Sequence, residues 1–206
     1  MVAAQIEAVA EDFTIAAVKT GMLGTGAVVD RVAATIKRLS LTNLVVDPIA
    51  LSSSGATLLD DAGVRALRVS LLPLARVVTP NWAEAQALTG VHVANAADAQ
   101  RAASALLRLG AKAVIVTGGH GPGNDIVDVL ATTDGVREFR AARVAGRSTH
   151  GTGCTFSATL AAHLALGQPL PDAIILAQGY VAKAIRLGLD LGTGPHRPMH
   201  HLAPTQ

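Results

Sequence analysis

Between residues 15 and 116, short β-branched runs alternate with longer alanine-rich segments of helical period. The runs at 15–19, 43–46, 76–78 and 113–116 read as buried strands, and the segments at 27–39, 60–71, 83–88 and 97–109 as helices. Strands separated by helices cannot close as hairpins, so neighbours must run parallel with the helices laid over the sheet. Pro80 and Asn81 punctuate one strand-to-helix junction, and Gly110 stands where the last of these helices would be capped. Further on, the extended runs 126–131 and 136–142 flank Thr132-Thr133-Asp134-Gly135, and Asp-Gly between such runs predicts a hairpin. Helix returns after Gly153 and at 171–187, with Pro171 in the first turn. The expected fold is α/β: three αβα layers around a mainly parallel central sheet. A length of 206 residues without repeat or linker predicts one domain, 1–206.

Composition narrows the function. Hydrophobic residues make up 50% and charged residues 16%, which excludes a disordered chain. Aromatics are only 2%, so the core must be Ala, Val, Leu and Ile, and base stacking has little to work with. The net charge of +2 comes from dispersed Arg and Lys, so no nucleic-acid partner is expected. The single cysteine excludes an internal disulfide and a Cys-rich zinc site. No apolar stretch reaches membrane-spanning length. The amphipathic start, Met1 to Glu7, lacks the order of a signal peptide, so a cytoplasmic location is expected. The polar tail 196–206 is expected to be loose.

Ligands of open parallel sheets gather at the carboxyl ends of the strands. Polar clusters fall there in series: Lys19-Thr20-Gly21, Asp47-Pro48, Thr79-Pro80-Asn81 with Glu84, and Thr117-Gly118-Gly119-His120. The glycine-rich turn Thr149-His150-Gly151-Thr152-Gly153-Cys154-Thr155 then opens onto the apolar run 156–166. Glycines feeding a helix start make a cradle for an anion, because the first amides are unpaired and carry the positive end of the helix dipole. That field would lower the thiol pKa of Cys154; the alternative is a small core cysteine. Neither a Walker loop nor Gly-x-Gly-x-x-Gly occurs, and Cys154 is not in a nucleophile elbow. Asp47 and Glu84, at neighbouring strand ends, could hold Mg²⁺, or could be a turn-capping Asp and a solvent-facing helix Glu.

In order along the chain, these motifs resemble the hydroxymethylpyrimidine/phosphomethylpyrimidine kinases of thiamine biosynthesis, within the ribokinase-like superfamily. Lys19-Thr20-Gly21-Met22-Leu23 is similar to the family's K-x-G-M-L, and Val45-Val46-Asp47-Pro48 with Ser54-Gly55 and Leu58-Leu59 to V-V-D-P…S-G…L-L. Leu71-Leu72-Pro73, Thr79-Pro80-Asn81 and Glu84-Ala85 resemble L-L-P…T-P-N-x-x-E-A, and Gly118-Gly119-His120 resembles G-G-H. Thr149 to Thr155 matches T-H-G-T-G-C-T throughout, and Gly194-Pro195 with His200-His201 resembles the closing G-P…H-H. The resemblance implies ATP-dependent phosphorylation of a pyrimidine hydroxymethyl group or its monophosphate. Gly151, Thr152, Gly153 and Cys154 would form the anion hole, with Cys154 near the acceptor hydroxyl. Asp47 and Glu84 would arrange Mg²⁺, Thr117, Gly119 and Asn81 would contact ATP, and Met22 and Ile49 would line the pyrimidine pocket. A homodimer is a further implication.

Three departures stand out. Thr117 occupies the place of a family lysine, and Ser52-Ser53-Ser54-Gly55 replaces A-K-S-G. The family's opening strand and Gly-rich loop have no counterpart, so an N-terminally truncated domain with an unpaired sheet edge and a pocket open on one side is expected. The alternatives are a pyridoxal-type vitamin kinase of the same superfamily and a non-catalytic remnant that binds nucleotide or a partner.

Overall fold

Val18–Thr20 (β1), Leu44–Val46 (β2), Val77–Val78 (β3) and Ala113–Val116 (β4) pair in parallel, in that spatial order. The computed structural model describes residues 1–50, 56–119, 121–146, 150–191, 193 and 197–202. Asp125–Thr132 (β5) and Gly135–Ala142 (β6) extend the sheet as an antiparallel hairpin beside β4. Among the described residues β1 has a neighbour on one side only.

Side chains alternate across a strand, so each strand serves two cores. Val46, Val78, Val114 and Val116 face a layer built from Gly26–Arg38 (α2), Asp61–Ala66 (α3), Trp82–Thr89 (α4) and Ala96–Leu107 (α5). Val45, Val77, Ala113 and Ile115 face Thr152–Ala165 (α6) and Leu170–Arg186 (α7) through Phe156, Leu160, Leu164 and Ile174. The expected αβα layering is the observed one. Alanines at Ala99, Ala102 and Ala103 are fully buried and let α5 lie close on the sheet, as an aromatic-poor chain requires.

Caps explain where the helices start. The Asp60 carboxylate accepts from the Gly63 amide at 2.6 Å and the Gly26 amide at 3.2 Å, so one side chain caps α3 and ties it to α2. Asn81 and Asn95 cap α4 and α5 in the same way.

Several boundaries differ from expectation. The strand foreseen at 15–19 starts only at Val18, opposite Leu44. Before it, Asn43 turns with φ 52° and its side-chain amide donates to the Ala16 carbonyl at 2.8 Å, which replaces a ladder bond. The helix foreseen at 60–71 divides into α3, a wider π-helical turn Leu67–Leu71 and a 3₁₀ turn Leu72–Leu74. Pro73 has no amide to continue the α ladder. In the hairpin, Thr132 pairs with Gly135, so Thr133 and Asp134 form the turn and Gly135 takes the positive φ of 134°. The amphipathic start is a helix, Val2–Asp12 (α1), which rests on the core through half-buried Ile6.

Candidate active site

The parallel strands deliver Lys19, Asp47, Asn81 with Glu84, and Thr117 to one edge of the sheet, and α6 brings its glycine-rich start to the same edge. Asp47 is the hub. Its side chain is buried, its Oδ2 lies 3.3 Å from Lys19 Nζ, and it accepts from Ser157 Oγ at 2.9 Å. Ser157 sits one turn after Cys154 and is fully buried, so its hydroxyl pins the first turns of α6 to the end of β2. Gly151 precedes α6 with φ 80°, a conformation suited to glycine, and its carbonyl accepts from both the amide and the hydroxyl of Thr155 at 2.9 Å. Among the described residues no side chain caps the start of α6, and unpaired amides at such a helix end suit an anion.

Glu84 is buried, not solvent-facing. Its Oε2 accepts from the Asn81 amide and Asn81 Oδ1 accepts from the Glu84 amide, both at 2.9 Å, a reciprocal cap of α4. Burial, and then the Asp47 carboxylate, push its pKa up to about 7 against the hydrogen bond from Asn81. The Asp47 charge thus raises the proton affinity of Glu84, and carboxylate oxygens at neighbouring strand ends are the donor type that a divalent cation takes. Asn81 bridges to Thr117 across the ends of β3 and β4. Thr117 gives its amide to the Pro80 carbonyl at 2.9 Å, and Gly119 lies exposed beyond it.

The expectation of an acidified Cys154 is not met. Cys154 is exposed. Even so, the protein atoms that desolvate its sulfur, and then the Asp47 and Glu84 carboxylates, push the thiol above its ordinary value, and only Lys19 draws it down. Desolvation and the two carboxylates together outweigh the Lys19 ammonium. Met22 is 62% exposed and Ile49 half-buried beside Gly21, so this flank of the site is open to solvent. A groove of about 680 Å³ leads from Gly151 and Cys154 along α6 to Tyr180. Ser54, Gly55, His120, Thr149, Gly194 and Pro195 lie outside the described residues.

Reading the sequence alone missed Ser157, whose signal was its place one helical turn after Cys154, and gave Lys19 no role. It also missed Asp128 of β5 and Arg143 just beyond β6, which reach the turn after β4.

Layering, strand order and a glycine-rich helix start at the sheet edge define a small-molecule kinase of the ribokinase-like class. The structure of a Bacillus subtilis pyridoxal kinase in complex with ADP superposes with a TM-score of 0.89 at 35% identity, covering 97% of this chain and 75% of that one. The phosphomethylpyrimidine kinase family model matches residues 1–200. The chain therefore belongs to the phosphomethylpyrimidine kinase family and is a phosphotransferase by descent. It is 43% identical to a hydroxymethylpyrimidine/phosphomethylpyrimidine kinase of Haemophilus influenzae, over 97% of this chain and 76% of that protein. It is 41% identical to the thiamine biosynthesis bifunctional protein ThiED of Geobacter sulfurreducens, covering 98% of this chain and 41% of that protein. No described helix is long and apolar enough to cross a membrane.

Proposed function

We propose that this chain transfers the γ-phosphoryl group of ATP to the hydroxymethyl group of 4-amino-5-hydroxymethyl-2-methylpyrimidine, and then to its monophosphate, in thiamine biosynthesis. The observation that carries this reading is the meeting of the glycine-rich start of α6 with Asp47, Glu84 and Thr117 at one sheet edge. The acceptor oxygen attacks the γ-phosphorus as the bond to the bridging oxygen breaks, the hydroxyl proton of the first acceptor passes to solvent, and ADP leaves. The amides of Gly151, Thr152, Gly153 and Cys154 hold the charge on the transferring group. Mg²⁺, when bound, neutralises phosphate charge, and Asp47 and Glu84 are the residues that would hold it.

Cys154 works by position. Its raised pKa keeps it a thiol near neutrality, and a loose phosphoryl transition state asks little of a base. Cys154→Ala is expected to lower kcat about 10²-fold with ATP binding retained, while Cys154→Ser keeps a hydrogen-bonding group there and recovers much of the rate. Equal loss in both variants would favour a thiolate base, and unchanged turnover in Ala would remove the residue from the site.

Pyridoxal is the second acceptor to test, because the likeness to the pyridoxal kinase extends over nearly the whole chain. The ratio of kcat/KM for the pyrimidine and for pyridoxal decides between them. Pairing of two copies into a homodimer belongs to this reading, and sedimentation measures that state directly.

A further inference from the structure

The glycine-rich turn after β4 is held from two sides by side chains that the reaction above does not use. From the protein interior, Asp128 of β5 accepts the Gly118 amide at 2.7 Å with Oδ1, and the side-chain amide of Gln178 on α7 at 2.9 Å with Oδ2. Asp128 is only 3% exposed, and both of its oxygens are occupied. From the outer side, Arg143, just beyond β6, donates to three carbonyls: Gly119 at 2.7 Å, Gly121 at 2.7 Å and Gly123 at 3.0 Å. Its own amide donates to the Asn124 carbonyl at 2.7 Å.

Neither contact is an ordinary surface pair. A carboxylate buried in the core is costly unless it does something that an apolar residue cannot. Here it fixes the one amide that leaves β4 toward the site edge. There is no room for variation at that point, since a Cβ on Gly118 would sit 2.1 Å from the Val127 carbonyl oxygen. The guanidinium spends its donors on backbone, not on a carboxylate, and a planar fork with donors in several directions is what gathers carbonyls from one tight turn. Gly119, whose carbonyl Arg143 holds, is exposed and lies two residues beyond Thr117.

We propose that Arg143 and Asp128 are positioning residues for the nucleotide, holding the turn at Gly118 and Gly119 in the one shape that receives its phosphates. The proposal rests on the kinase reading above. It also bears on Thr117, where the family carries a lysine: with no charge there, backbone geometry has to supply more of the phosphate contact, and the Arg143 guanidinium adds a cation behind the turn.

The test is a split between nucleotide and acceptor. In the full chain, Arg143→Ala is expected to raise the KM for ATP about tenfold or more, with the KM for the pyrimidine unchanged. Arg143→Lys, which reaches fewer carbonyls, should fall between. Added ethylguanidinium should recover ATP affinity in Arg143→Ala and do nothing to wild type. Asp128→Asn can still accept the Gly118 amide once Gln178 turns its own amide over, so it should keep ATP affinity, whereas Asp128→Ala should lose it. Binding of a fluorescent ATP analogue gives the same comparison without turnover. Arg143→Ala and Asp128→Ala variants that bind ATP as wild type does would overturn the proposal. So would a uniform loss of stability, kcat and both KM values without ethylguanidinium rescue. If wild type itself binds no nucleotide, the kinase reading fails instead.

Discussion

Glu84 carries the clearest consequence at the scale of a residue. Its ordinary value of 4.5 is raised to about 7 in the folded chain, chiefly by burial and then by Asp47. The folded state therefore holds a proton that the unfolded state releases between these two values. The resulting stability is fully present below pH 4.5 and is lost as the pH rises through about 7. At ~1.4 kcal/mol per pH unit, the difference from 4.5 to about 7 sets a ceiling of about 3 kcal/mol. Glu84→Gln keeps an oxygen for the Asn81 amide and removes the charge beside Asp47 and Cys154. Without divalent cations, the variant and wild type should be equally stable at pH 4, and the variant should gain through pH 7 and plateau above it. Urea midpoints across that range measure the gain. A constant difference at all pH values would mean that folding leaves the proton affinity of Glu84 unchanged.

At the scale of elements, α6 is set on the sheet by apolar contacts and by one polar pin, Ser157 to Asp47. Ser157→Ala removes a donor from a buried carboxylate, and such a loss costs about 1–3 kcal/mol. The same change frees the start of α6 to shift against β2, so kcat should fall as well. A denaturant titration and a rate measurement on one preparation check both. Full stability with normal turnover would show that Leu160 and Phe156 alone place the helix. This pin also marks how far the sequence could be read. Alternation of strand and helix is local, so β2 to β4, α2, α4 to α7 and the hairpin were legible from period and turn chemistry. The division of the helix at 60–71 was not, because the π-helical turn Leu67–Leu71 has no sequence mark of its own and only Pro73 hinted at a break. In the site, Asp47, Glu84, Asn81 and Thr117 were legible because strand ends collect them. The thiol pKa was not, since it depends on desolvation by the folded chain and then on two carboxylates 107 and 70 residues away in sequence from Cys154. Arg143 was hidden for the same reason, as nothing near it in the chain points to carbonyls at 119, 121 and 123.

For the whole molecule, the site couples parts that would otherwise be independent. The two cores lie on opposite faces of the sheet, one under α2 to α5 and the other under α6 and α7. A nucleotide spanning Gly119, Asn81 and the start of α6 would touch elements from both layers, so its binding energy would oppose the opening of either one. Ligand held at 100 times its Kd adds ~2.7 kcal/mol to folding stability. For a chain of 206 residues, each kcal/mol shifts Tm by about 2–4 °C. ATP with Mg²⁺ at that excess is therefore expected to raise Tm by about 5–10 °C in one cooperative transition. Asp47→Asn, which keeps an oxygen for Ser157 but weakens cation binding, should erase the part of the shift that Mg²⁺ adds and leave the part due to ATP alone. Differential scanning calorimetry with ATP, with Mg²⁺ and with both reads each part. Two separate transitions, only one of them moved by ATP, would show that the nucleotide engages a single layer and that the strand ends and α6 do not act as one site.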